Sequence, residues 1–440
     1  MINSPILSSM LWFSLPIILS NVLQLLFNAA DIVIVGRYAG DVCLAAVSST
    51  TSIINLIVNV FIGLAIGVNV LVARQIGEER FNAISETIHT SIGFAFVCGV
   101  VSTIVGLLTA RPALQAMDCP AEVIDLAVLY LRIYYLGMPA MLVYNCGASV
   151  LRAKGDTKRP LYFLLFSGLV NVILNIVLVT VFGMNVDGVA IATVVSQLVS
   201  AFLTMFLLVK EEETFRFYFN KIKIKAEPLK EILRIGLPAS FQNSMFSISN
   251  VVLQSNINAL GTAAIAGSGA SASVVGFANG IINGIMSAVT TYVSQNYGAG
   301  RVDRIKKTVA ISCFIGFVWC VIFFLVAFFF GEELLYFYTD EPAVVEMGLI
   351  KSKVIIYSYY TYALMQIAVG ALRGMGYATS PAIISLVGVC GVRLLLIWFV
   401  FEKVNMFNIA LTYPISWLTT AIVVWVLLII VIKNNEPKKA

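Results

Sequence analysis

Apolar runs of about twenty residues or more recur about twelve times along this 440-residue chain. That length lets a helix rising 1.5 Å per residue cross roughly 30 Å of hydrocarbon. The runs fall near 10–36, 44–73, 86–108, 125–150, 160–183, 188–209, 229–258, 264–295, 308–330, 344–371, 381–401 and 407–432. Hydrocarbon offers no water to backbone N–H and C=O groups, so only self-bonded helices or closed barrels cross it. The runs are continuous rather than alternating, which selects helices over a barrel. The expected fold is therefore an all-α integral membrane protein with twelve transmembrane helices. Only 12% of residues are charged and 60% are hydrophobic, a balance foreign to soluble domains.

The first run is too long for a signal-peptide core and lacks a small-residue cleavage site, so it is expected to stay in the protein. Seven cysteines form no Cys-x-x-Cys pair and mostly lie within spans, where they read as small packing residues. Lys and Arg fix the orientation: with the N-terminus inside, 21 of 28 fall in cytoplasmic segments and only Arg37, Arg111 and Lys403 in the opposite loops. Arg132, Lys351 and Lys353 lie near outer span ends, and Arg393 lies within a span. A multi-pass protein of the cytoplasmic (inner) membrane with both termini cytoplasmic is expected. The net charge of +5 suits anchoring to anionic lipid rather than nucleic-acid binding.

The chain repeats itself. "ARQIGEERFNAI" aligns with "SQNYGAGRVDRI" and "LRAKGDTKRP" with "LRGMGYATSP", both at an offset of 221 residues. Near the start of each half the offset is 222, where Leu15, Pro16, Asn21 and Asn28 match Leu237, Pro238, Asn243 and Asn250. Six spans per half is even, so both halves begin inside and form parallel rather than inverted repeats. This predicts an N-terminal six-helix lobe over 1–210, a flexible cytoplasmic linker over 211–228, a second lobe over 229–432 and a cytoplasmic tail over 433–440.

Polar residues within the spans are the functional candidates. Asn21, Gln24, Asn28 and Asp31 lie on one helical face, and so do Asn243, Ser247, Asn250 and Gln254 in the second half. The second stripe is uncharged. A carboxylate at a helix centre costs roughly 2.5–3.5 kcal/mol even on cautious scales, so Asp31 is read as functional rather than structural. Arg393 could neutralise a helix end, snorkel to lipid headgroups or face a cavity; a structural role is favoured. His89, the single histidine, is expected at a helix end or facing lipid. Met245, Phe246, Met286, Tyr362 and Met365, with Gln24 and Asn28, could line a cavity for bulky amphipathic cations.

Taken together, "SLPIILSNVLQLLFNAADIVIVGRYAG", "ARQIGEER", "LRAKGDTKRP", "GVAIATVVSQ" and their second-half echoes resemble the multidrug and toxic compound extrusion (MATE) family across nearly the whole chain. The nearest branch is the one resembling DNA-damage-inducible proteins. The resemblance implies two six-helix lobes that export amphipathic, often cationic compounds against inward proton or sodium flow. It assigns coupling to Asp31, Asn171, Asn175 and Thr193, with Asn175 standing where the pattern commonly has Asp. It makes Pro16 the site of helix bending. No cofactor is implied beyond the coupling ion, and no metal beyond a sodium ion at that site. The expected partners are small amphipathic molecules and membrane lipid, with no nucleic acid, and the protein is expected to work as a monomer. The competing transport reading is a flippase for lipid-linked oligosaccharide or peptidoglycan precursor, which calls for several basic residues around its cavity. An enzyme is disfavoured, because no catalytic constellation lies within the spans.

Overall fold

The computed structural model describes residues 2, 4–117, 119–400 and 405–436. Lys403 of the orientation argument, the last residue of the 381–401 run and residues 437–440 of the expected tail lie outside them. No strand occurs among the described residues. The helices are α1 Ile6–Ile34, α2 Asp41–Gly77, α3 Phe81–Gln115, α4 Ile124–Leu136, α5 Met138–Lys154, α6 Lys158–Ile176 and α7 Val186–Lys210. The second set is α8 Ala226–Asn258, α9 Thr262–Gly298, α10 Val302–Tyr336, α11 Pro342–Tyr357, α12 Tyr359–Gly374, α13 Thr379–Ser385, α14 Val392–Leu395 and α15 Met406–Asn434. Wider π-helical turns extend α1 over Val35–Ala39 and α6 over Val177–Val181, and flank α14 at Leu386–Gly391 and Leu396–Val400.

Among the described residues, nine helical stretches are long and apolar enough to cross a membrane, and two bent pairs bring the number to eleven. The pairs are α4 with α5, bent by 46°, and α11 with α12, bent by 49°. Helix α8 completes the expected twelve. Its 33 residues suffice in length, but Gln242, Asn243, Asn250, Gln254 and a series of serines lower its apolarity.

The duplication extends to backbone conformation. Helices α2 and α9 both have 37 residues, and α3 and α10 both have 35. Left-handed residues recur at the same 221-residue offset, Gly40 with Gly261 and Gly155 with Gly376. At the third pair Glu79, at φ 55°, stands where the second half has Gly300.

Two compact units emerge: Leu19–Gly236, and Leu237–Ala440 joined by Met1–Ile18. Their boundaries fall inside α1 and α8, close to Pro16 and Pro238, and not in the linker. The first turns of α1 accordingly pack within the unit of the later helices. Gly284 of α9 lets α1 approach so closely that a Cβ there would lie 2.6 Å from Ile18. The first turns of α8 pack instead on α2, where a Cβ at Gly67 would meet the Ile232 carbonyl oxygen at 2.4 Å.

The linker was expected to be flexible, and it is strapped down. Phe217 is buried and stacks on the His89 ring at 5.1 Å, while the Tyr218 backbone N–H donates to His89 Nε2 at 3.0 Å. His89 Nδ1 pairs with the Ser85 carbonyl oxygen at 2.7 Å, which makes Nδ1 the donor and leaves Nε2 as the acceptor. His89 is therefore a buried clasp and not a lipid-facing residue. Further along, Lys225 pairs with Glu86 at 2.6 Å.

Where α7 meets the linker, Glu211 is held by Lys154 at 2.6 Å and by Arg159. Burial alone would raise its carboxyl, but the two cations outweigh burial and hold it below the usual value of 4.5. A depressed folded value contributes stability that is present above the unfolded value and lost as pH falls through the folded one. Both partners are partly exposed, so the contribution is about 1 kcal/mol. Thermal unfolding followed from pH 7 to pH 3 is expected to show wild type losing its advantage over Glu211→Gln below about pH 4.5. A constant difference across that range would contradict the assignment.

Candidate functional site

Four polar residues meet within the Leu19–Gly236 unit. Glycine lets α1 lie against α6: a Cβ at Gly168 would sit 2.0 Å from the Phe27 ring. One turn beyond Phe27, Asp31 Oδ1 accepts a hydrogen bond from Asn175 Nδ2 at 2.6 Å. Asn171 and Asn175 are four apart on α6 and thus share a face; Asn175 Nδ2 also donates to Asn171 Oδ1 at 3.2 Å. From α7, Thr193 Oγ1 accepts from Asn171 Nδ2 at 3.5 Å and donates to the Val189 carbonyl at 3.0 Å. Asn171 and Asn175 are buried, whereas Asp31 and Thr193 keep partial exposure.

Two features were not read from the sequence. Tyr130 of α4, buried, lies within electrostatic reach of Asp31. Its signal was Tyr130 and Tyr134 at helical spacing near the start of a span that also carries Arg132. The second is that Asn175 Oδ1 is buried with no hydrogen-bond partner. An orphaned acceptor beside a carboxylate is expensive. Wider π-helical turns follow Asp31 and Asn175, and such turns gather at functional sites. Among the described residues no three His, Cys, Asp or Glu side chains group as metal ligands.

The residues expected to line a substrate cavity do not gather in one unit. Gln24 and Asn28, on the Asp31 face of α1, are exposed. Met245, Phe246, Met286 and Tyr362 are partly buried in the other unit. Met365 is wholly buried in the hydrophobic core there, so it packs and does not line a cavity. Pro16 is buried within the unbroken α1. Lys351 is buried, with Nζ 2.5 Å from Ser268 Oγ, and Arg373 is buried against Gln242 Oε1 at 2.7 Å. Arg393 does not snorkel: it is buried between helices. The seven cysteines are all free thiols.

Several multidrug resistance proteins are similar to this chain over most of its length. The probable multidrug resistance protein YoeA of Bacillus subtilis (strain 168) is 26% identical over 426 residues, covering 95% of this chain and 92% of its own. The probable multidrug resistance protein NorM of Thermotoga maritima is 26% identical over 387 residues, covering 87% and 82%. The solved outward-facing structure of a multidrug resistance MATE family transporter of the MOP superfamily matches with a TM-score of 0.91 at 21% identity, covering 99% of this chain and 97% of that one. The MatE family pattern matches residues 16–177 and again 238–399, one copy for each half of the duplication. With most of its length accounted for by that doubled pattern, the chain belongs to the MatE (MATE) family of membrane transporters.

Proposed function

We propose that this protein is a secondary active exporter of amphipathic compounds, cationic ones included, driven by inward ion flow through the Asp31 site. The observation that carries the reading is the pairing of the Asp31 carboxylate with a buried Asn175 whose own carbonyl oxygen is unpartnered. A charged Asp31 accepts from the Asn175 N–H. A protonated Asp31 has an O–H to donate, and rotating the Asn175 amide by half a turn presents the orphaned oxygen to receive it. The pair thus has a hydrogen bond for each charge state, donated by Asn175 to the carboxylate and accepted by Asn175 from the acid. That exchange favours the proton over sodium, because a sodium ion needs oxygens on every side and the amide N–H now occupies one.

Export through this site is tested in proteoliposomes with pH and sodium gradients imposed separately. Efflux is expected to follow the pH gradient; efflux driven by sodium alone at equal pH would reverse the choice of ion. Asn175→Ala removes the amide and keeps the carboxylate. It is expected to retain transport at roughly a tenth to a half of the wild-type rate, consistent with losing a hydrogen bond to a charged group. Full activity in that variant would remove Asn175 from the site.

A further inference from the structure

The duplication places a second polar site in the Leu237–Ala440 unit, and its charge is opposite. In the first half the site joins α1, α6 and α7. Its counterparts at the 221–222 residue offset are α8, the α13–α14 segment and α15, and there Arg393 takes the centre. Asn250, the repeat of Asn28, accepts from Arg393 Nη1 at 3.2 Å, and Ser416 Oγ accepts from Nε at 3.2 Å. The guanidinium lies over the Tyr413 ring at 4.3 Å. Tyr413, Trp417 and Tyr362 continue as an aromatic cluster, with centroids 5.5 Å and 5.0 Å apart in turn. Arg393 sits on a single α-turn between two π-helical turns.

A guanidinium stays charged in a protein, and burial without a counter-charge is costly. Yet Arg393, Arg373 and Lys351 are all buried in this unit, and none of them pairs with a carboxylate among the described residues. Between residues 237 and 302, and between 347 and 401, the sequence contains no Asp or Glu. Arg373 also keeps a buried Nε with no acceptor, and both guanidiniums lie within electrostatic reach of the partly buried Tyr362 hydroxyl. The interior of this unit therefore carries positive charge that neutral amides, hydroxyls and rings solvate but do not balance.

We propose that this unit binds an amphipathic organic anion, whose acid group meets Arg393 and whose ring system packs on the partly buried Tyr362. The acid displaces the Asn250 amide oxygen, the exposed one of Arg393's two acceptors, and replaces a neutral hydrogen bond with a charge-assisted one. Acid-bearing and zwitterionic compounds thereby join the substrates of the exporter. The inference rests on the transport reading only for its consequence, since binding itself needs no gradient.

The test uses purified full-length protein in chloride-free, uncharged detergent, with dansylglycine and its neutral analogue dansylglycinamide as probes. Dansylglycine is expected to bind roughly tenfold or more tightly, and chloride is expected to erode that preference. Arg393→Gln is expected to abolish the preference while leaving dansylglycinamide unaffected. Asn250→Asp, which supplies Arg393 with an internal carboxylate, is expected to do the same should Arg393→Gln fail to fold. Phosphatidylglycerol added to the micelles separates the sources of the acid: competition identifies a lipid headgroup, and its absence a free acid. Equal binding of the two probes by wild type, or a preference that survives in both variants, overturns the proposal. Neither result touches the Asp31 mechanism, which is read from gradient-driven efflux.

Discussion

Asp31→Asn is expected to insert and fold as wild type does while gradient-driven efflux falls by roughly a hundredfold or more. The substitution is nearly isosteric and retains an oxygen that can accept from Asn175 Nδ2, the contact made at 2.6 Å. What it removes is the ability to alternate between a charged and a neutral state, because an amide does not exchange a proton in this range. Folding should not suffer, since losing a partly sheltered charge from a membrane helix removes a cost. Substrate exchange across the membrane without any ion gradient should survive, as that process needs the conformational cycle but no net coupling. The measurement is initial dye efflux from proteoliposomes at matched protein density, with gradient-free exchange as the control. Wild-type gradient dependence in Asp31→Asn would sink the mechanism. Loss of exchange as well would mean that Asp31 shapes the protein and does not couple it.

The parts legible in the sequence were those set by local rules or by repetition. Span length alone placed the helices, although α3 and α10 run five to seven residues past their apolar runs at each end, and the 221-residue offset that pairs Gly155 with Gly376 in the sequence pairs the same residues as left-handed turns in the structure. The breaks in the fourth and tenth spans were missed, because Gly137 and Ser358 do not interrupt the apolar runs that hide them. Asp31 was legible because a carboxylate in an apolar run is conspicuous without its neighbours. The fates of His89, Lys351 and Arg373 were not, for a common reason. Each lies near a span end, where the sequence alone gives no sign of burial. Whether it is buried instead depends on what a distant segment brings to it: Phe217 and the Tyr218 backbone for His89, Ser268 for Lys351, Gln242 for Arg373. Neutral acceptors carry no signature in a single sequence, so the positive interior of the Leu237–Ala440 unit became visible only in three dimensions.

The compact units also change what the two prolines mean. Each unit takes in the first turns of a helix whose remainder belongs to the other, and the changeover falls close to Pro16 in α1 and Pro238 in α8. Proline within a helix deletes one backbone hydrogen bond and crowds the preceding turn, a penalty of about 3 kcal/mol relative to alanine. These two weak points are where a bend would cost least; Ile18, which packs on Gly284, follows Pro16, whereas Ile232, which packs on Gly67, precedes Pro238. A bend at Pro16 would lie on the same helix as Asp31, and we expect a change of charge at the site to be answered by a change of helix direction. Pro16→Ala is therefore expected to raise the unfolding temperature by a few degrees and to lower coupled efflux roughly tenfold or more. Binding of dansylglycinamide and dansylglycine should remain near wild type, because neither proposed ligand contact is touched. A stabilised variant that still exports at the wild-type rate would show that Pro16 is a static kink. A destabilised one would show that the ring fills space in the core around Phe13 and Ile17, with no part in the transport cycle.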